Sequence, residues 1–143
     1  MINKRDVIRM KVPYPSIGAQ LAVSSHMYVC ITVDGSMYEY VKCQTLKPKM
    51  LASRRFKHFK DEQPDVSRNP FQRMTRIDCD KVFVTKSVQY GDGLKTNRRP
   101  DVCQELYDMI VEEVNKDGYD SIGMNEDELT RINPLIVKMK HKA

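Results

Sequence analysis

Met27-Tyr28-Val29-Cys30-Ile31-Thr32-Val33, then Asp34-Gly35-Ser36, then Met37-Tyr38-Glu39-Tyr40-Val41-Lys42-Cys43-Gln44 is the stretch that decides the fold. Two runs rich in β-branched and aromatic residues flank a glycine turn. That is the short-range signature of a hairpin, because glycine supplies the positive φ of a primed turn. With Asp34-Gly35 at the centre, His26 faces Cys43 and has Thr45 as a diagonal neighbour roughly 7–8 Å away. With Gly35-Ser36 at the centre, His26 faces Thr45. Either register predicts that His26 and Thr45 share one face at the open end, since side chains alternate with period two. An imidazole beside a hydroxyl, next to a loop, is a candidate reaction site.

Outward from the hairpin, Asp6 to Tyr14 reads as a preceding strand, with Ile8, Met10 and Val12 on one face and Arg9 and Lys11 on the other. Pro13 and Pro15 end it, and Ser16 to Ser25 reads as a loop. Thr45 to Pro70 is a long segment broken by three prolines, and a loop of that length in a small domain tends to be functional. Arg73 to Asp78 and Lys81 to Val88 read as two further strands or one bent one, and Tyr90 to Gly93 as a turn. Asp101 is placed to cap a helix with Gln104 at the reciprocal position, and Val102, Leu106, Met109, Ile110 and Val114 form its apolar stripe. Gly118 stops it. Asn125 with Glu128 repeats the capping pattern before a short helix ended by Pro134, and the chain from Val137 onward reads as a frayed tail. Strands followed by a helix predict a mainly β, α+β fold: a small curled barrel of about five to seven strands with the helix packed on it.

The 143 residues are most simply one domain, 1–143, with a hydrophobic fraction of 41% that suits a soluble globular protein. No apolar run approaches the ~20 residues of a membrane span, so no membrane partner is expected. Cys30, Cys43, Cys79 and Cys103 form no Cys-x-x-Cys pair, which points to reduced thiols in a cytoplasmic protein and to no metal or other cofactor. The net charge of +5 is unevenly spread. Lys47, Lys49, Arg54, Arg55, Lys57, His58 and Lys60 crowd a segment with no acid before Asp61 and interleave with Phe56 and Phe59. A solvated loop explains such a run, but so does phosphate contact combined with base stacking.

Several strings resemble the PemK/MazF family of bacterial toxin ribonucleases. Arg5-Asp6-Val7-Ile8 is similar to the family's opening Gly-Asp-Val/Ile strand, and His26-Met27-Tyr28-Val29-Cys30-Ile31 to its Arg-Pro-Val-Leu-Val-Ile strand. Val41-Lys42-Cys43-Gln44-Thr45 resembles the strand that ends in Thr or Ser, and Cys79-Asp80-Lys81 part of a Cys-Asp-Gln string. Val102 to Lys116 corresponds to the C-terminal helix, so the resemblance covers roughly residues 4 to 116. The chain differs in having His26 for the usual arginine, Met27 for proline, Arg5 for glycine and Asp78 where some members carry a catalytic arginine. From about residue 119 it adds a short helical extension.

The resemblance implies an SH3-like barrel, a homodimer, a cognate antitoxin protein as partner, and metal-independent cleavage of single-stranded RNA by attack of the ribose 2′-hydroxyl. That reaction needs a proton acceptor, a proton donor and donors to the phosphoryl oxygens. His26, Thr45 and Asp80 are the catalytic candidates, with Asp80 as base or as the residue orienting His26. Arg9, Lys11, Lys42, Lys47, Lys49, Arg54, Arg55 and Lys57 are the RNA-binding candidates. Each also has a purely structural reading: His26 as a satisfied surface histidine, Thr45 as a strand-end residue, Asp80 as a turn residue. Tyr28, Tyr38 and Tyr40 read as cross-strand packing. The competing function is a non-catalytic RNA- or protein-binding module on the same small barrel.

Overall fold

The computed structural model describes residues 1–13 and 25–139; the greater part of the loop expected over Ser16 to Ser25, and the last four residues of the expected frayed tail, lie outside them. The hairpin forms as β2 (Ser25–Asp34) and β3 (Met37–Thr45), with β1 (Val7–Lys11) antiparallel to β2. Gly35 at φ 60 is the first central residue, while Ser36 stays at negative φ, which is the pattern of a type II′ turn. The turn register, Asp34 opposite Met37, does not persist. Between Cys30 and Thr32 the pairing slips by one, so that Cys30 faces Tyr40 and Met27 faces Cys43. Ile31 is the extra residue of this β-bulge. The Tyr107 hydroxyl donates to its carbonyl at 2.6 Å, supplying a partner away from the ladder.

β3 is the hub of the sheet. Its first half pairs with β6 (Lys81–Thr85) and its second half with β5 (Thr75–Asp78), which in turn pairs with β4 (Phe59–Glu62). β6 also carries β8 (Asp120–Gly123), the single parallel neighbour, and β7 (Val88–Tyr90) pairs with β9 (Ile136–Lys138) in a separate two-stranded sheet. The fold is therefore mainly β within the α+β class, with seven strands in its principal sheet. Among the described residues, that sheet runs from β1 to β4 without a pairing that joins its ends.

Both faces of β2 and β3 are covered, which is why Tyr28-Val29-Cys30-Ile31 is buried without alternation. On the first face, Ile8, Met10, Tyr28, Cys30, Tyr40 and Phe83 pack with Ile2, Met124, Leu129 and Ile136. On the second, Val7, Val29, Ile31, Val41, Cys43 and Ile77 pack with Phe71 and with Leu106, Ile110 and Val114 of α2 (Gln104–Val114). The three tyrosines do pack across strands: Tyr38 and Tyr40 of β3 meet Tyr90 of β7 edge-on at 5.1 and 5.3 Å, and Tyr28 meets Phe83 edge-on at 5.7 Å.

Several sequence expectations need correction. The segment from Thr45 to Pro70 is not bare loop, since it holds α1 (Pro48–Leu51) and β4. α2 is capped by Cys103, whose sulfur accepts from the Leu106 amide at 3.4 Å, and not by Asp101. Asp101 is otherwise engaged, bridging to Asp6 through the backbone and accepting from Arg99 at 2.8 Å. The C-terminal segment is not frayed through 137–138, because β9 closes the first-face core there. α3 (Glu126–Ile132) does start as expected, with the Asn125 side chain accepting from the Glu128 amide at 3.0 Å. The Asn133 side chain then exchanges two hydrogen bonds with the Lys11 backbone, at 2.7 and 2.8 Å, tying the extension to β1.

Two substitutions separate the roles of α2. Leu106→Ala, which empties a fully buried site, is expected to cost about 2–5 kcal/mol. Tyr107→Phe, which strands the Ile31 carbonyl, is expected to cost about 1–3 kcal/mol. Urea unfolding measures both, and an unchanged midpoint for Tyr107→Phe would show that the bulge does not need this partner.

Candidate nucleic-acid interface

Because β3 changes partners between Tyr40 and Cys43, the turn joining β5 to β6 passes beside Lys42 and opens a cleft of about 750 Å3 on the first face. His26, Tyr28, Lys42, Gln44 and Phe83 line its strand side, Asp78 and Lys81 flank the turn, and Lys47, Lys49 and Arg55 come from the basic loop. Five lysine or arginine side chains (Lys42, Lys47, Lys49, Arg55, Lys81) therefore share the cleft lining with one carboxylate, Asp78. Burial pushes the Asp78 carboxyl up, against the Asp80 amide and Lys81, which draw it down. Burial also lowers the Lys42 ammonium, with Asp78 opposing that shift and Lys81 adding to it. A half-buried lysine beside a buried acid, at the mouth of a cationic cleft, suits an anionic ligand that brings its own charge.

The structure brings together only part of the site expected from sequence. Met27 faces Cys43 and Tyr28 faces Lys42, so continuing the register sets His26 against Gln44 on the cleft face. Thr45, paired with Thr75, belongs with Cys43 and Met27 on the opposite face. The expectation that His26 and Thr45 share a face is thus overturned by the bulge at Ile31, although both residues border the cleft at the strand end. Asp80 is not among the cleft residues. Its carboxylate accepts from the Lys57 and His58 amides at 2.8 and 3.0 Å and from His58 Nδ1 at 3.1 Å. It is a turn residue that holds the basic loop. Of the cationic candidates, Lys42, Lys47, Lys49 and Arg55 line the cleft, whereas Arg54 and Lys57 do not. Arg9 lines a smaller hollow on the other face, and Lys11 stands at the end of β1, its backbone held by Asn133.

The basic loop is anchored by Arg76, which sequence reasoning passed over, and by His58, which it counted only among the basic residues. Arg76, 3% exposed, donates to both Asp61 carboxylate oxygens at 2.8 and 2.9 Å and to the Met50 carbonyl at 3.1 Å. Its guanidinium carbon lies 3.7 Å from the Phe59 ring centroid and 5.1 Å from that of Phe56. The two phenylalanines read as stacking platforms are therefore engaged with Arg76, at about 0.5–2 kcal/mol for each cation–π contact. His58 is the second anchor, with Nδ1 on Asp80 and Nε2 on Asp117 at 2.8 Å. Neither residue carries a recognisable motif, since their partners lie up to 59 positions away. Asp78 was noted only as a departure from a family arginine and Lys81 only as part of the Cys79-Asp80-Lys81 string, neither as a site residue.

Comparison with known protein families, characterised proteins and solved structures returns no match. Among the described residues, no three His, Cys, Asp or Glu side chains are grouped to hold a metal ion, and no helix is long and apolar enough to cross a membrane.

The His58 anchor has a defined pH signature. Its hydrogen bonds to Asp117 and then Asp80 raise the imidazole above its ordinary value. Asp80 is lowered: burial pushes it up, but the Lys57 and His58 amides and the imidazole outweigh that. A raised folded value means the anchor contributes fully below the unfolded histidine value of about 6.5 and is lost as pH rises through the folded one. At the acid end, the Asp80 contribution fades as pH falls below the ordinary carboxylate range. The melting-temperature gap between wild type and His58→Gln is expected to be widest just below neutrality and to shrink toward alkaline pH. A gap that stays constant from pH 5 to pH 9 would show that His58 is not held as a cation.

Proposed function

We propose that this chain binds single-stranded RNA in the cationic cleft and cleaves it without a metal ion. The observation that carries the reading is five lysine and arginine side chains around one buried carboxylate, with an imidazole at the cleft wall. In the proposed reaction His26 takes the proton of a ribose 2′-hydroxyl, whose oxygen bonds to the adjacent phosphorus. The bond from phosphorus to the 5′-oxygen breaks, and Asp78, its carboxyl pushed upward by burial, supplies the departing oxygen with a proton. Lys42 and Lys81 neutralise the phosphoryl oxygens. The products are a cyclic phosphate and a free 5′-hydroxyl.

A second reading, a non-catalytic RNA-binding module, is favoured by the separation of Thr45 and Asp80 from His26. The closed SH3-like barrel, the homodimer, and the role of toxin inhibited by a cognate antitoxin rest on the resemblance to the PemK/MazF family alone.

Purified protein incubated with labelled RNA in excess chelator tests both readings. Cleavage is expected to persist, to depend on pH around neutrality, and to fall by about two to four orders of magnitude in His26→Ala. DNA and 2′-O-methylated RNA are expected to bind uncut. Arg55→Ala is expected to reduce the slope of log affinity against log salt by about 0.7, the value for one lost phosphate contact on a single strand, and Arg54→Ala to leave it unchanged. Binding without cleavage gives the second reading; cutting of DNA, or loss of activity in chelator, rules out 2′-hydroxyl attack as the mechanism.

A further inference from the structure

The open end of the β2–β3 hairpin is a ridge between two depressions. On its first face lies the cleft. On its second face is a hollow of about 180 Å3, walled by Arg9, Arg73, Thr45 and Thr75 over the buried Phe71. Ser25, His26, Gln44 and Thr45 border both. The cause is the register: with Met27 opposite Cys43, consecutive residues at the strand ends point alternately into one depression and the other. Arg9 lies opposite Met27 on β2, and Thr45 opposite Thr75 on β5, which builds the hollow from four adjacent strands.

Its charge is uncompensated. Arg5, Arg68, Arg76, Arg99 and Arg131 each meet a carboxylate. Among the described residues, no carboxylate pairs with Arg9 or Arg73, and none lines the hollow. The Thr75 hydroxyl donates to the Arg73 carbonyl at 2.8 Å, which braces the backbone that carries this guanidinium. Two guanidiniums and the Thr45 hydroxyl lining one hollow suit a phosphodiester, which takes charge-assisted hydrogen bonds from arginine.

We infer that the hollow is a second phosphodiester site, occupied by the same RNA strand after it crosses the hairpin end from the cleft. Arg9 and Arg73 hold that phosphate, and Thr45 donates to it from the ridge. The inference rests on the reading of the cleft as an RNA site. It reassigns Thr45 from the reacting centre to substrate positioning, and it makes affinity depend on strand length.

Fluorescence anisotropy with uncleavable 2′-O-methyl RNA tests it, using oligomers of about three and about ten nucleotides, within the range of known single-strand site sizes. The Arg9→Ala/Arg73→Ala variant changes only exposed side chains. It is expected to bind the short oligomer as wild type does, to bind the long one about tenfold or more weakly, and to lose about 1.4 from its salt slope on the long one. Arg9→Glu/Arg73→Glu is expected to deepen the loss on the long oligomer alone. The Lys42→Ala/Lys81→Ala variant is expected to weaken both oligomers. Should that cleft variant lose binding while the Arg9/Arg73 variants bind the long oligomer as wild type does, the second site is overturned and the cleft reading stands. Should the cleft variant bind both oligomers normally, the RNA reading of the cleft is overturned, and this inference with it.

Discussion

The hydrogen bond from the Tyr107 hydroxyl to the Ile31 carbonyl joins the helix to the one irregularity in the central hairpin, and much of the molecule follows from that irregularity. A hairpin of uniform register would carry its turn geometry to the open end. One extra residue in β2 shifts every pair beyond it and turns each later side chain of β2 to the face opposite the one the turn implies. Tyr28 and Cys30 thereby join the first-face core, while Val29 and Ile31 meet α2 on the second. At the open end the same shift turns His26 to the cleft face beside Gln44, leaving Thr45 on the other face with Arg9 and Arg73. A local packing feature in the middle of the sheet thus decides the chemistry at its edge.

Electrostatics give the two faces different characters. The one buried cation among the described residues, Arg76, is held from all sides: two carboxylate oxygens, a carbonyl and two aromatic rings surround it. Arg76 is buried while Asp61 reaches the surface, and together with the Met50 carbonyl they fix the loop that carries Lys47, Lys49 and Arg55. The cleft cations are arranged differently. Lys42 and Lys81 share a single buried aspartate, and the loop cations have solvent as their surroundings. Asp80 and His58 belong with Arg76, since their bonds run between loop, turn and helix end and not into the cleft. The division is between charges neutralised within the protein and charges left at the cleft surface.

Some of this was legible in the chain alone. The hairpin, its glycine turn, the apolar stripe of α2 and the Asn125 cap are local: each depends on residues within a few positions of one another, where backbone sterics and short-range hydrogen bonds dominate. The mainly β class followed from the same signals, and the concentration of cations between Lys47 and Lys60 was evident from composition. Lys47, Lys49 and Arg55 were identifiable as binding candidates from that run, and Lys42 from its place on the hairpin.

What the tertiary structure alone decided is every pairing across distance. The bulge at Ile31 has no sequence signature, because its carbonyl is satisfied by a tyrosine 76 positions later, and without it the register at His26 cannot be known. Asp78 became the carboxylate of the cleft, and Asp80 a structural anchor, although only Cys79 separates them; alternation would keep i and i+2 on one face, but β5 ends at Asp78 and the turn after it carries Asp80 to the basic loop. Phe56 and Phe59 looked like stacking platforms until Arg76 was seen beneath them. Sequence determined which residues could carry charge, turn or apolar surface. Folding determined which of those charges were neutralised internally and which were left exposed, because neutralisation depends on distances of a few ångströms between groups that the chain order keeps apart.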